Sequence, residues 1–260
     1  MKLTKVVMYA VMFVSIVAAL NAQEKITGQK IIENVYYRDS GEDITSDLTM
    51  TLINRRGDTR IREIQQFGKD YDKEEKSIMF FLSPADVRNT SFMNWSYDAE
   101  GRDDDQWIYL PALKKVKRIS SDSKSDYFMG SDFTYDDLGD RHPSEDTHKL
   151  LREENLDGED CYVVESIPKE EDYMYSKTVT WVSKDKWIGL KKDFYDEDGE
   201  HLKTLSVGKF EKIDGYWTIL NSNMHNIQKD HKTLMELKDV KINTGIQDRQ
   251  FTERIMRRGL

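Results

Sequence analysis

The chain has 260 residues, a formal net charge of −9, 33% charged and 38% hydrophobic side chains, and a single cysteine. An acidic surface of this kind repels phosphate backbones and argues against nucleic acid as a partner. One cysteine excludes an internal disulfide, and an aromatic content of 11% supplies enough burial area to argue against disorder.

Residues 1–22 carry Lys2 and Lys5, then an apolar run from Val6 to Leu20, then Leu20-Asn21-Ala22 before Gln23. The run is shorter than a spanning helix wants and ends at a small residue, so it reads as a cleaved secretory signal. Its removal takes the charge to −11. The mature chain, 23–260, is then expected as a soluble, exported single domain. If the leader is bacterial, the compartment is the periplasm. No repeat, low-complexity linker or composition break divides the remainder.

Thr27 can cap a helix running to Arg38, with Ile31, Ile32, Val35 and Tyr36 on one stripe that should pack against a sheet. From Asp47 onward the pattern is β. Leu48, Met50 and Leu52 alternate with Thr49 and Thr51, and Asn54-Arg55-Arg56-Gly57 turns the chain. Further strands are expected at 61–67, 77–82, 90–97, 106–110 and 115–119, then at 161–167, 177–182, 188–195, 202–210, 216–227 and 232–242. Asp157-Gly158, Asp198-Gly199 and Asp214-Gly215 have the composition of hairpin connections. Cys161, within Asp160-Cys161-Tyr162-Val163-Val164, reads as a buried small apolar residue.

The strands in the middle of the chain are apolar on both faces: Ser77-Ile78-Met79-Phe80-Phe81-Leu82, Phe92-Met93-Asn94-Trp95 and Trp107-Ile108-Tyr109-Leu110. A sheet open to water on one side alternates more cleanly, so these strands must be covered twice, by protein or by a bound apolar molecule. Between them and the next strands lies a polar loop, Ser120 to Asp126, flanked by Val116–Ile119 and Tyr127-Phe128-Met129, which has the character of a flap with apolar ends. Gly130 permits an unusual turn beside it. Ser131, Asp132 and Thr134 suit loop hydrogen bonds. The basic run Lys114, Lys115, Lys117, Arg118 either guards an edge strand or meets lipid phosphates or an acidic partner.

Catalytic groupings are not recognisable. His142, His148, His201, His225 and His231 lack metal-ligand spacing, and no Ser or Cys sits in a nucleophile elbow. The acids of Asp103-Asp104-Asp105 and of Asp132, Asp136 and Asp137 read as solvated or capping loop charge. Asp196-Glu197-Asp198-Gly199-Glu200 lacks the ligand series of a calcium loop. No phosphate loop or dinucleotide fingerprint appears. No catalytic residue, cofactor or metal is assigned.

The wording Gln106-Trp107-Ile108-Tyr109-Leu110-Pro111-Ala112-Leu113, Arg118-Ile119 and Phe128-Met129-Gly130-Ser131-Asp132-Phe133-Thr134-Tyr135-Asp136-Asp137-Leu138 resembles the LolA-like outer-membrane lipoprotein-sorting proteins. The likeness continues in Ser83-Pro84-Ala85-Asp86-Val87-Arg88-Asn89-Thr90 and Asp248-Arg249-Gln250-Phe251-Thr252. It implies a mainly β protein with a few helices: a strongly curved antiparallel sheet, an open half-barrel covered on its concave face by helices. It also implies a periplasmic carrier that binds a lipid or acylated lipoprotein cargo in a hydrophobic cavity and, by analogy, a membrane exporter of the RND or MMPL type as its partner. The candidate lining residues are Met79, Phe81, Phe92, Trp95, Trp107, Tyr109, Phe128 and Met129, large and adaptable side chains suited to an acyl chain. Two other readings stay open: an envelope sensor or scaffold that binds a protein segment on the same sheet, and an envelope hydrolase.

Overall fold

A computed structural model describes residues 25–260; the leader assigned to residues 1–22 lies outside them. Thr27 caps α1 (Gly28–Tyr36), its side chain accepting from Lys30 N at 3.2 Å. Strands follow as β1 (Asp43–Ile53), β2 (Thr59–Asp70), β3 (Glu74–Ser83), β4 (Ser91–Tyr97), β5 (Asp105–Leu110) and β6 (Lys115–Arg118). Residues 119–145 carry only short 3-10 turns. Then come β7 (Asp146–Leu156), β8 (Glu159–Pro168), β9 (Lys177–Ser183), β10 (Gly189–Tyr195), β11 (His201–Ile213), β12 (Tyr216–Asn226), β13 (His231–Ile242) and a short α2 (Glu253–Arg258). Among the described residues no helix is long and apolar enough to cross a membrane.

All thirteen strands join one antiparallel sheet in the order β6-β5-β4-β3-β2-β1-β13-β12-β11-β10-β9-β8-β7. The sheet does not close: β6 and β7 are its edges. Turn chemistry sets several of the pairings. Asp157 and Gly158 both take positive φ (51° and 95°) between β7 and β8, and Asp214 and Gly215 do so (49° and 99°) between β11 and β12. Two such residues in succession make the hairpin turn whose twist matches that of the strands. The basic run at 114–118 falls on edge strand β6, with Lys115, Lys117 and Arg118 exposed.

Two elements escape a reading of the sequence. Strand β7 is the other edge, with exposed Lys149, Arg152 and Glu153 and a register shift between Leu150 and Arg152, so its alternation is broken and its composition resembles a loop. Helix α2 has six residues and one fully buried side chain, Met256, too short for a helical period to register.

The double burial of β3 to β5 has a direct cause. Ile78, Phe80 and Met93 pack on one face with Phe251 and Met256, which belong to the C-terminal segment and α2. Phe81 and Phe92 pack on the opposite face with Leu48, Met50, Leu52, Ile64 and Phe128. We call this second face inner, because residues 119–145 lie on it. Among the described residues, the α-helical cover of the inner face is α1, whose Ile31 packs with Val164 and Val182 of β8 and β9. Gly28 permits that approach: a Cβ there would meet Leu150 N at 2.7 Å.

Curvature follows from reach. Gln106 on β5 donates to the Tyr135 carbonyl at 2.8 Å, and Lys203 on β11 donates to the Asp132 carbonyl at 3.0 Å. On a flat sheet those strands would be roughly 33 Å apart at ~4.8 Å per strand. The chain from 132 to 135 spans at most ~10 Å. Even with both side chains extended, the sheet must bend around the segment. Tyr37 completes the wrap, its hydroxyl donating to Asp98, just beyond β4, at 3.0 Å.

The C-terminal segment is held to β1 by Asp43, which is 4% exposed. Its carboxylate accepts from Thr244 N (2.7 Å), Thr244 Oγ1 (2.8 Å), Gly245 N (2.8 Å) and Ile246 N (3.1 Å). Burial raises its pKa, but these hydrogen bonds outweigh burial and hold it below the usual carboxylate range. Replacement Asp43→Ala leaves those donors unpaired and is expected to lower stability by at least about 3 kcal/mol in urea titration.

Candidate binding site beneath the 119–145 strap

Residues 119–145 run across the inner face as a strap. Its middle doubles back, with Tyr127 bridged to Thr134 and Phe128 N donating to Phe133 O at 2.7 Å. Met129 and Gly130 make the reversal with φ of 50° and 74°. This bend delivers two aromatic side chains in different directions. Phe128, fully buried, packs on Phe81 and Phe92 with ring centroids at 5.9 and 5.0 Å. Phe133 joins Tyr175, Phe194 and Met224 in a second apolar cluster on β10 to β12.

Polar anchors fix the bend. Arg62 donates to the Met129 carbonyl, and Asn226 Nδ2 donates to Tyr127 Oη at 3.0 Å. Thr233 Oγ1 donates to Asp132 Oδ2 at 2.7 Å, and His231 Nδ1 lies 2.7 Å from the same oxygen. Lys203, with no exposed surface, pairs with Asp137, which also accepts from Tyr175 Oη at 3.0 Å. Thr134 and Asp137 exchange side chain to backbone hydrogen bonds of 2.7 and 3.1 Å. A buried ammonium is tolerable only with such partners.

The lining candidates separate by strand parity. Phe81, Phe92 and Phe128 are buried together in the inner cluster, with Met79 and Met129 packed against it. Trp95, Trp107 and Tyr109 lie on the outer face against the Phe251 and Met256 cluster. Successive side chains of a strand alternate between faces, so Phe92 and Trp95 cannot share one. Phe133, Tyr175, Phe194 and Met224, not singled out as lining, complete the inner surface. Lys203 carries no sequence signal, because a lysine in Leu202-Lys203-Thr204-Leu205 has the pattern of an outward position.

Two cavities flank the strap. One, of about 260 Å³, is lined by Phe133, Tyr175, Phe194, Leu205 and Met224 together with Lys192 and several acids. The other, of about 370 Å³, is a polar cleft between the start of β5, the strap's ends and residues 170–174. They share Asp136, Gly139, Asp140, Arg141 and Tyr173. Among the described residues no group of His, Cys, Asp and Glu is arranged to hold a metal ion.

Carboxylates dominate the cleft. Removal from water, reinforced by Asp104, pushes Asp140 up to about 6. Glu75, an exposed residue of β3 opposite Ser96, is pushed up to about 8 by desolvation and then by Asp140, Asp70 and Asp104. Each such acid holds its proton to higher pH in the folded chain than in the unfolded one. The stability it contributes is complete below the unfolded value and is lost as pH climbs through the folded one. The variant Glu75→Gln is therefore expected to gain on the parent as pH rises from 5 to 8, read as a widening gap in denaturation midpoint; a gap that stays constant refutes the crowding.

Comparison with known proteins places this geometry. A family model described as "-like: Uncharacterized protein" matches residues 73–258. A DUF1329 family protein from Desulfovibrio piger is 33% identical with a TM-score of 0.83, covering 88% of this chain and 97% of its own. A domain named for outer membrane lipoprotein sorting, from Vibrio parahaemolyticus, is 34% identical with a TM-score of 0.83, covering 88% and 98%. A LolA superfamily protein from Nitrosomonas europaea, 22% identical with a TM-score of 0.67 over 87% and 98%, shares the fold. No match is found among curated proteins. With two relatives above 30% identity aligned over nearly their whole length, the chain belongs to the family of these DUF1329 and outer-membrane lipoprotein-sorting domain proteins.

Proposed function

We propose that the protein is a periplasmic carrier that shelters the acyl part of a lipid or acylated lipoprotein on its inner sheet face and passes it between membrane components, with an exporter of the RND or MMPL type as partner. The observation that carries this reading is the strap. An open sheet presents two apolar clusters inward, and what covers them between α1 and β6 is an irregular segment, through Phe128 and Phe133. The name of the Vibrio parahaemolyticus relative, given for lipoprotein sorting, supports the same class of cargo. No catalysis belongs to this reading.

Energetics make exchange reasonable. Ten buried methylenes gain about 8 kcal/mol before ordering costs. Withdrawing Phe128, Met129 and Phe133 forfeits roughly 5–9 kcal/mol at about 1.5–3 kcal/mol per side chain. Near-balance suits a carrier, since a cargo that displaced the strap with a large surplus could not be released. The cavity of about 260 Å³ beside Phe133 gives an acyl chain a starting volume, larger than the ~150 Å³ that admits a benzene ring in an apolar core.

A second reading has one observation in its favour: the strap is itself a polypeptide segment held on the inner face through its backbone carbonyls, by Arg62, Gln106 and Lys203. A scaffold that binds a partner's segment would use the same surface. Native mass spectrometry of protein from the periplasm, followed by organic extraction, separates the two. The carrier reading expects a bound lipid, or uptake of added lipid, and expects Phe128→Ala to bind more lipid although it loses about 3–5 kcal/mol of stability. A cargo-free mass with no uptake by either form defeats it.

A further inference from the structure

The two ends of the half-sheet β1 to β6 carry opposite charge. Successive hairpins place the β1–β2, β3–β4 and β5–β6 turns at one end and the β2–β3 and β4–β5 turns at the other. Helix α2 lies at the first end, where Ser91 Oγ at the start of β4 donates to the Met256 carbonyl at 3.0 Å. The turns 54–58 and 84–90, the hairpin tip with β6 at 111–118, and α2 hold ten basic and three acidic side chains. At the opposite end the turns 71–73 and 98–104 hold two basic and five acidic ones. The chain as a whole is acidic, at −9, so the basic end stands against the charge of its surroundings.

The β5–β6 hairpin ends in an apolar tip among lysines. Leu113 is 51% exposed, beside exposed Ala112 and Lys114. Its backbone donates to Leu110 O at 3.0 Å and that of Lys114 to Pro111 O at 3.1 Å, so a tight turn holds the leucine outward. Of the four basic residues in 114–118, only Arg118 has an ion pair among the described residues, with Asp105. Val116 and Tyr109 pack against the Phe251 and Met256 cluster, which sets α2 beside this hairpin with Arg254 and Arg258 exposed. Lysine on an edge strand discourages further strand pairing, and that accounts for Lys115 and Lys117. It does not account for Leu113, for the arginines of α2 or for the two neighbouring turns.

We propose that this end docks on the surface of a membrane containing anionic phospholipids, with Leu113 at the headgroup layer and the surrounding Lys and Arg side chains on lipid phosphates. Such a surface offers anionic charge outside and hydrocarbon beneath, the same division as a basic rim around an apolar tip. Lysine ammonium groups are point charges on flexible stems, suited to headgroups that move laterally, and an acidic protein would leave the leucine without a counterpart. Docking sets edge strand β6, and with it the start of the strap at residue 119, against the membrane. The surface is separate from the inner face and does not depend on what that face holds.

Vesicle flotation of the mature protein, residues 23–260, tests this with phosphatidylcholine alone and with added phosphatidylglycerol. Binding is expected only with phosphatidylglycerol and is expected to fall as salt is raised. The combined variant Lys114→Asn, Lys115→Gln, Lys117→Gln is expected to weaken it about a hundredfold, at roughly fivefold per lysine. Cys161 has no exposed surface, so a polarity-sensitive thiol dye reports an introduced cysteine alone. The dye on Leu113→Cys is expected to shift to the blue with phosphatidylglycerol vesicles, and the dye on Glu100→Cys, in a turn at the opposite end, to stay unchanged. Thermal melts confirm folding; if the combined variant is not folded, the salt dependence and the two labels carry the test. Absent or equal binding to the two kinds of vesicle, undiminished binding by the folded combined variant, or a shift at both labels or at neither overturns the assignment. Binding of polyglutamate in place of vesicles overturns it in favour of an acidic protein. Any of these failures leaves the carrier reading standing, and a protein that docks but takes up no lipid removes the carrier reading alone.

Discussion

An open sheet of thirteen strands must bury an apolar inner face without closing on itself, and the strap at residues 119–145 makes that possible. It enters from the last residue of one edge strand and leaves into the first residue of the other, so the connection between the two edges is also the plug between them. Phe128 and Phe133 supply the apolar filling. Without them, two clusters on facing parts of the sheet would meet water, and the bend itself would lose its reason. Curvature, burial and connectivity are therefore one constraint.

The strap is anchored by polar groups that would be expensive if left alone. Lys203 and Asp137 are both withdrawn from solvent, and each has further partners in the Asp132 carbonyl and the Tyr175 hydroxyl. Such an arrangement contributes little net stability compared with apolar packing, but it penalises any other register of the strap. Apolar side chains decide that the segment is buried; Arg62, Lys203 and Thr233 decide where. A segment held in this way has one defined seat on the inner face.

The same segment also creates the polar cleft. Its second half carries Asp136 and Asp140 to the start of β5, where Asp104 already sits, and the crowding of those carboxylates follows. An apolar inner surface and an acidic cleft thus meet along the strap, with Tyr135 touching both: its ring packs on Phe92 and Phe128, and its carbonyl holds Gln106. Amphiphilic ligands have this division of character, an apolar body and a polar end.

Much of the fold was legible from residues alone. Asp-Gly pairs marked hairpins, alternation marked most strands, Thr27 marked a helix start, and the two-faced apolar runs at 77–82 and 106–110 required cover on both sides. Cys161, read as a small buried residue, has no exposed surface. Local physics suffices for such features, because a turn or a strand is decided by the residues that form it. The inward parity of each strand, which put Phe92 and Trp95 on opposite faces, was decided only by the tertiary structure. So were the path of the strap and the inward Lys203. Periodicity fixes that side chains alternate but carries no sign, and pairings between segments far apart in the chain depend on what each finds across the sheet rather than on its own composition.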